Sequence, residues 1–168
     1  EALSAALYSC VELGANQIQL IVTEKSEKAG AKFSARQLAH LEQIMIAAAE
    51  QSKYFCLPEL LAPVSLSQFL AAPVRPRVVK NRSVAQTAVA NATSQIFFDP
   101  TGIPISVLLP QLAAAPNVRL LWGPEGDLTA AEKAQVMAAG FTAGKLTPTI
   151  LRAAQAVAVG LGLIRSLV

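Results

Sequence analysis

Apolar positions along the chain alternate between two spacings, and each change of spacing marks a new element. Leu3, Leu7 and Val11 recur at helical spacing, which predicts a helix over 2–13. Gly14 sits where a residue just past a helix end is needed. Ile18, Leu20 and Val22 then alternate with Gln17, Gln19 and Ile21, which predicts a strand. The polar stretch 24–32 reads as a loop. Ser34-Ala-Arg-Gln37 is a capping box, and it opens a long helix to about Ser52 with an apolar stripe at Leu38, Leu41, Met45 and Ala48. A short strand is expected near Glu59–Leu61, and a second capping box, Ser65–Gln68, predicts a short helix over about 65–71.

Residues 73–93 carry little periodicity and read as a long exposed connection. Ser94–Phe98 is expected to be a buried strand, ended by Asp99-Pro100-Thr101-Gly102, with a helix following near Ser106–Ala115. Val118–Trp122 is the clearest strand, and it runs straight into Gly123-Pro124-Glu125-Gly126. Thr129–Glu132 forms a third capping box for a helix to Gly140, followed by a brief strand over 141–145. Thr147 is placed as the cap of the last helix, with Pro148 at its first position, where a lost N–H does no harm. That helix is expected to reach the chain end with a wide apolar face: Ile150, Leu151, Val157, Leu161, Ile164 and Leu167.

Strands alternating with helices predict an α/β fold, a mostly parallel sheet with helices on both faces, in one domain over 1–168. Ligands of such folds bind in loops at the carboxyl ends of strands. Three loops qualify: 99–104, 123–128 and 144–149. Gly123 and Gly126 let the backbone approach a ligand, Pro124 stiffens the turn, and Glu125 is the charge held in it. An ordinary strand-to-helix turn would look the same. The chain lacks G-x-x-x-x-G-K-[ST], a G-x-G-x-x-G after a strand, and G-x-S-x-G, so phosphoryl transfer, dinucleotide binding and esterase chemistry have no support.

Composition narrows the class. Of 168 residues 53% are hydrophobic and 15% charged, which excludes a disordered chain. The longest apolar stretch, Ala153–Ile164, is interrupted by Gln155, Gly160 and Gly162 and is too short to span a bilayer. No secretory leader is expected, and a start at Glu1 suggests residues upstream of it. Net charge is +3, which permits an anionic partner without demanding one. Arg75, Arg77, Lys80 and Arg82 are either a solvated loop or contacts to RNA phosphates. Cys10 and Cys56 are too isolated for a zinc site or a disulfide framework, and are expected as reduced, buried thiols of a cytoplasmic protein. His40, the only histidine, lies among polar residues, so neither a metal site nor a histidine-based triad is expected.

The stretches LWGPEGDLTAAE (Leu121–Glu132) and GFTAGKLTPTILRAAQA (Gly140–Ala156) resemble the ribosomal RNA small-subunit methyltransferase E family, a group of knotted methyltransferases. That family's pattern is a GPEGG turn with a hydrophobic residue and [ST]-x-x-E, then GF, then LGxRILRxxTA. Val11-Glu-Leu-Gly14, Ala49-Glu-Gln-Ser52 and Pro58 agree with it, so the resemblance covers nearly the whole chain. Asp127 stands at the last glycine of GPEGG, Thr147 at the glycine of LG, Thr149 at the arginine before ILR, and Gln155-Ala156 at the TA. His40-Leu41 replaces an arginine–tryptophan pair.

The resemblance implies a carboxy-terminal trefoil knot, S-adenosylmethionine as cofactor, and methylation of N3 of a uridine in small-subunit ribosomal RNA. It also implies an amino-terminal RNA-binding barrel, not expected within residues 1–168, and substrate sites completed by a partner subunit; the apolar face over 148–168 is itself too wide for one sheet to cover and predicts a homodimer with this helix at the interface. Backbone near Leu146, Thr147, Ile150 and Leu151 is expected to hold adenine. Leu121, Trp122, Gly123 and Gly126 would face the ribose and methionine part, and Phe98, Asp99 and Pro100 the opposite wall, although Phe98 reads equally well as a core residue. Arg152, the arginine of ILR, is the candidate for stabilising the uracil anion, and Glu125 for fixing Arg152 or taking the proton. Glu12 is a weaker candidate. A protein that kept the knotted fold to bind RNA or assist ribosome assembly without catalysis is the alternative, which the departures at Thr147, Thr149 and Gln155 allow.

Overall fold

Ser34, Ser65 and Thr129 each fold back onto the amide three residues on, so three helices begin where local chemistry places them. In the computed structural model, residues 1–28, 33–73 and 93–167 are described. Their order is α1 (Ala2–Glu12), β1 (Gln17–Val22), α2 (Glu24–Lys28), α3 (Ala35–Ser52), β2 (Glu59–Ser65) and α4 (Leu66–Ala71), then β3 (Thr93–Pro104), α5 (Ile105–Ala114), β4 (Asn117–Trp122), α6 (Ala130–Ala138), β5 (Thr142–Lys145) and α7 (Ala153–Arg165). Gly14, just past α1, has φ 73°, the left-handed conformation that ends a helix at no steric cost.

All strand pairs are parallel, but among the described residues they form two sheets rather than one: β1–β2, and β4–β3–β5. Instead of pairing, β1 and β4 both line an open crevice of about 1990 Å³. Helices do cover both faces of the three-stranded sheet, because side chains alternate along β3. Phe97 faces Leu66 and Phe69 of α4, Val136 of α6, and Phe141. Ile96 and Phe98 face Ile105, Leu108 and Leu112 of α5 and Leu163 and Ile164 of α7. The β1–β2 sheet packs on α1 and α3 through Val11, Met45, Ala48, Ile18 and Leu60.

Four boundaries differ from the sequence reading. The polar stretch after β1 opens with the short α2, since the Thr23 hydroxyl receives the Ser26 amide at 3.4 Å and pairs with the Ser26 hydroxyl at 2.6 Å. β2 extends to Ser65, where it meets the second capping box directly. β3 does not stop at Phe98 but resumes pairing with β5 at Ile103 and Pro104. The last helix starts at Ala153, not beside Thr147, because the Thr147 hydroxyl donates instead to the Thr149 carbonyl at 2.6 Å. Pro148 therefore sits in a loop, and Ile150 is 82% exposed rather than part of a helical core face. Much of that helix face is already covered: α7 packs on α1, and Ile164 belongs to the sheet core. Cys56 is exposed, not buried, because it follows the end of α3 at the surface. Cys10 is half-buried rather than buried, and that partial burial pushes its thiol up to about 11. The connection expected over 73–93, with Arg75, Arg77, Lys80 and Arg82, lies almost wholly outside the described residues.

Candidate functional site

Register decides where the loops leave the sheet. Phe98 pairs with Trp122 on one side and with Gly144 on the other, so β3, β4 and β5 reach the same level together. The segments after 98, 122 and 145 therefore open at one edge, at the carboxyl ends of parallel strands. The first of them, Asp99–Gly102, is a looped-out stretch: Phe98 and Ile103 both register against Gly144. Gly102 presses on β5 so closely that a Cβ there would lie 2.6 Å from the Ala143 carbonyl carbon, so only glycine fits.

Beneath this edge lies an aromatic floor. The rings of Phe98 and Trp122 are 5.1 Å apart, and the indole N–H donates to the Ala156 carbonyl at 3.1 Å. Gly160 of α7 lies flat under both, since a Cβ would come within 3.0 Å of Phe98 and 3.1 Å of Trp122. Phe98 and Leu121 thus point into the core, and only their backbones face the edge. Leu146 packs against the same cluster.

The turn between β4 and α6 is held by charge and by hydrogen bonds. Asp127 has φ 59°, which aspartate adopts more readily than most residues. Its Oδ1 receives the Leu128 amide at 2.7 Å, and its Oδ2 pairs with Lys133 Nζ at 2.7 Å. The same ammonium meets Asp99 Oδ2 at 2.6 Å. Asp99 is buried, and its Oδ1 receives the Thr101 amide at 2.8 Å and hydroxyl at 2.5 Å. Burial alone would raise the Asp99 pKa, but the bonds from Lys133 and Thr101 outweigh it and hold the carboxyl below its ordinary range. The two carboxylates likewise raise Lys133 against the opposing effect of burial. Glu132, also buried, receives the Glu24 amide at 2.8 Å and the Thr129 amide at 2.8 Å, while Lys25 donates to the Gly126 carbonyl. The start of α2 is thereby fastened to the turn.

The expected residues divide accordingly. Asp99, Gly123, Gly126, Trp122 and Phe98 come together at this edge, with Pro100 and Glu125 exposed beside them. Thr147, Ile150, Leu151 and Arg152 lie on the loop leading from β5 to α7. Arg152 is exposed at the N-cap of α7, and no ion pair joins it to Glu125 among the described residues. The large crevice touches this edge at Leu121–Gly126 but runs away from it, along β1, α1 and α7. The loops, not the crevice, gather the motif residues, and they define the candidate site. Lys133, Thr101 and Lys25 were not foreseen. Asp127 in place of glycine was the visible signal, because a charged residue at a tight turn needs a partner. Among the described residues no helix is long and apolar enough to cross a membrane, and no three His, Cys, Asp or Glu side chains gather as metal ligands.

A family model described as an RNA methyltransferase domain matches residues 1–165. The ribosomal RNA small subunit methyltransferase E of Synechocystis sp. is 31% identical over 158 residues, which are 94% of this chain and 47% of that protein. The chain thus spans about half the length of this curated relative. A putative methyltransferase of Legionella pneumophila, solved with the bound cofactor SAM, superposes with TM-score 0.79 at 23% identity, covering 99% of this chain and 61% of the other. A ribosomal RNA small subunit methyltransferase E of Neisseria gonorrhoeae, bound to S-adenosyl methionine, gives 0.77 at 22% identity, covering 99% and 61%.

Proposed function

This chain belongs to the RNA methyltransferase domain family, and on that premise we propose that it methylates N3 of a uridine in small-subunit ribosomal RNA, using S-adenosylmethionine. The observation that carries the reading is the shared level of Phe98, Trp122 and Gly144, which brings the three motif-bearing loops to one edge. The residues there suit the cofactor. Gly123 and Gly126 give a turn without side chains, the exposed Glu125 supplies an anionic group for a sulfonium, and the exposed Ile150 offers an apolar surface for adenine. The trefoil knot of the family is part of the same proposal.

Bound there, S-adenosylmethionine supplies an electrophilic methyl group. Uridine N3 holds a proton and attacks only as that proton leaves. Glu125, exposed in its turn, accepts it. Arg152 meets the negative charge that spreads onto a uracil carbonyl, and its planar fork can meet that carbonyl and a carboxylate together. The buried walls from Phe98 to Trp122 fix the approach, and orientation supplies much of the rate. Arg75, Arg77, Lys80 and Arg82 are assigned to RNA phosphates on charge alone. A homodimer is part of the proposal, with α7 at the interface and its Val159, 44% exposed, facing the partner.

Calorimetric titration of S-adenosylmethionine into the full-length protein, followed by methylation of small-subunit RNA with base analysis, tests the proposal. Binding with 3-methyluridine as product is expected. Binding without transfer favours an RNA-binding protein that kept the fold, and no binding overturns the cofactor assignment.

A further inference from the structure

We infer that Lys133 is a positioning residue: its ammonium, shared between Asp99 and Asp127, sets the spacing between two of the three cofactor-facing loops. The inference rests on the site described under Proposed function. It starts from Asp127, which stands where the family motif has glycine. A glycine at φ 59° would be unstrained and would offer no side chain. The aspartate accepts a mildly unfavourable backbone and gains two bonds, to the Leu128 amide at 2.7 Å and to Lys133 at 2.7 Å.

Lys133 follows the capping Glu132, and its own amide is already bonded to the Thr129 carbonyl at 2.9 Å, so its backbone is fixed by the first turn of α6. From that base the side chain reaches Asp99 at 2.6 Å. Asp99 is 4% exposed and lies in the looped-out stretch of β3. Its other oxygen holds Thr101, and Gly102 is wedged against β5. The ammonium therefore links the 99–102 stretch to the 123–128 turn, and through Gly102 to β5. Removing it leaves a buried carboxylate with no cation, which costs far more than the loss of a surface pair. The carboxylate would then draw in water or swing out, and the two walls would part. Binding sites tolerate little such play.

The test compares Lys133→Met, Lys133→Arg and the double variant Asp99→Asn/Lys133→Met in the full-length protein. S-adenosylmethionine affinity is measured by calorimetry well below each melting temperature, beside amide hydrogen exchange without cofactor. Lys133→Met should weaken binding about tenfold or more, while Lys133→Arg stays within about threefold. The double variant should recover only part of the loss, since neutral asparagine removes the unpaired charge and still accepts from Thr101, whereas the link to Asp127 stays broken; full recovery would show that the buried charge, not the bridge, is what matters. In exchange, Lys133→Met should expose the Thr101 and Leu128 amides together and leave Leu41 and Met45 in α3 protected. If Lys133→Met does not fold, Asp127→Asn replaces it, with smaller changes of the same sign. Unchanged affinity and unchanged exchange at Thr101 and Leu128, with only a lower melting temperature, overturn the inference. If the wild type binds no cofactor, the proposed function fails, and the exchange result alone decides the role of Lys133.

Discussion

Two walls of the candidate site are built differently. In the 123–128 turn nearly every polar group has a partner: the Asp127 amide bonds the Pro124 carbonyl at 2.8 Å, the Asp127 carboxylate holds Leu128 and Lys133, and Lys25 holds Gly126. In the loop over 146–152, Leu146 anchors one end in the core, and beyond it Pro148, Thr149, Ile150 and Arg152 face solvent. The first wall is set by folding. The second presents an apolar side chain and a cation that folding does not use, which is how a binding surface differs from a core. Substitutions should therefore separate the two: at the folded contacts of the first wall binding falls together with stability, and at the second function falls with stability intact.

The largest effect is expected at Arg152. Arg152→Ala should lower the rate of methyl transfer by about a hundredfold or more, the usual loss when a group that stabilises a developing anion is removed. Cofactor affinity should hardly change, because the charge matters only as uracil loses its proton. Single-turnover methylation of small-subunit RNA beside cofactor titration measures both. Turnover at the wild-type rate would remove Arg152 from the chemistry, and a large loss of affinity would make it a binding residue. Arg152→Lys should recover little.

Next comes Gly102→Ala on the folded side. A methyl group would meet the Ala143 carbonyl carbon at 2.6 Å and oxygen at 2.7 Å, both of them backbone atoms of a strand. Overpacking of this kind costs about 1–3 kcal/mol, and a rigid neighbour places it at the upper end. Urea unfolding should show a lower midpoint at unchanged slope. A stability equal to wild type would mean that the loop and β5 are not in contact.

How far sequence alone reached follows the same division. The three capping boxes, the strands at 17–22 and 117–122, and the stop at Gly14 are local, so their residues announce them. Thr147-Pro148 has the same local signature, yet Thr147 spends its hydroxyl on Thr149 and the helix waits until Ala153. Local propensity lost there to the path the chain takes out of β5. The split into two sheets was invisible, because periodicity fixes strands but not their neighbours. Of the site, the glycines and Arg152 were legible through the motif, whereas the Asp99–Lys133–Asp127 link depends on distant stretches meeting in space.

The acid limb of stability should follow that link. Asp99 has a folded-state pKa held below its unfolded value, so its contribution is present above the unfolded pKa and is lost as pH falls through the folded one. Lys133 is raised, so its share is present below its unfolded pKa and is lost only as pH rises through the folded one, far on the alkaline side. Between these limits the link is intact. Asp99→Asn should therefore cost about 1–2 kcal/mol at neutral pH, a modest value for a hydrogen bond to a charged group. The difference from wild type should shrink as pH falls below the carboxylate range. Thermal unfolding of both proteins across pH checks it, and a difference that stays constant into strong acid would show that the charge of Asp99 is not what stabilises the loop.

The smallest expected effect on the fold is the sharpest test of the comparison. Ile150 is 82% exposed, so Ile150→Ser removes almost no buried surface and creates no unpaired polar group in the core. Stability should stay within about 0.5 kcal/mol of wild type, as for surface positions generally. If the side chain is covered only when adenine or a second copy arrives, its burial appears in binding instead. Burying an isoleucine is worth about 1.5–3 kcal/mol, so partial coverage predicts roughly a fivefold to tenfold loss of cofactor affinity or of dimerisation. Calorimetry reports the first and light scattering against concentration the second, which also tells which of the two covers Ile150. Loss of stability with both bindings intact would place Ile150 in the folded wall after all, and the contrast between the two loops would fail at the residue that defines it.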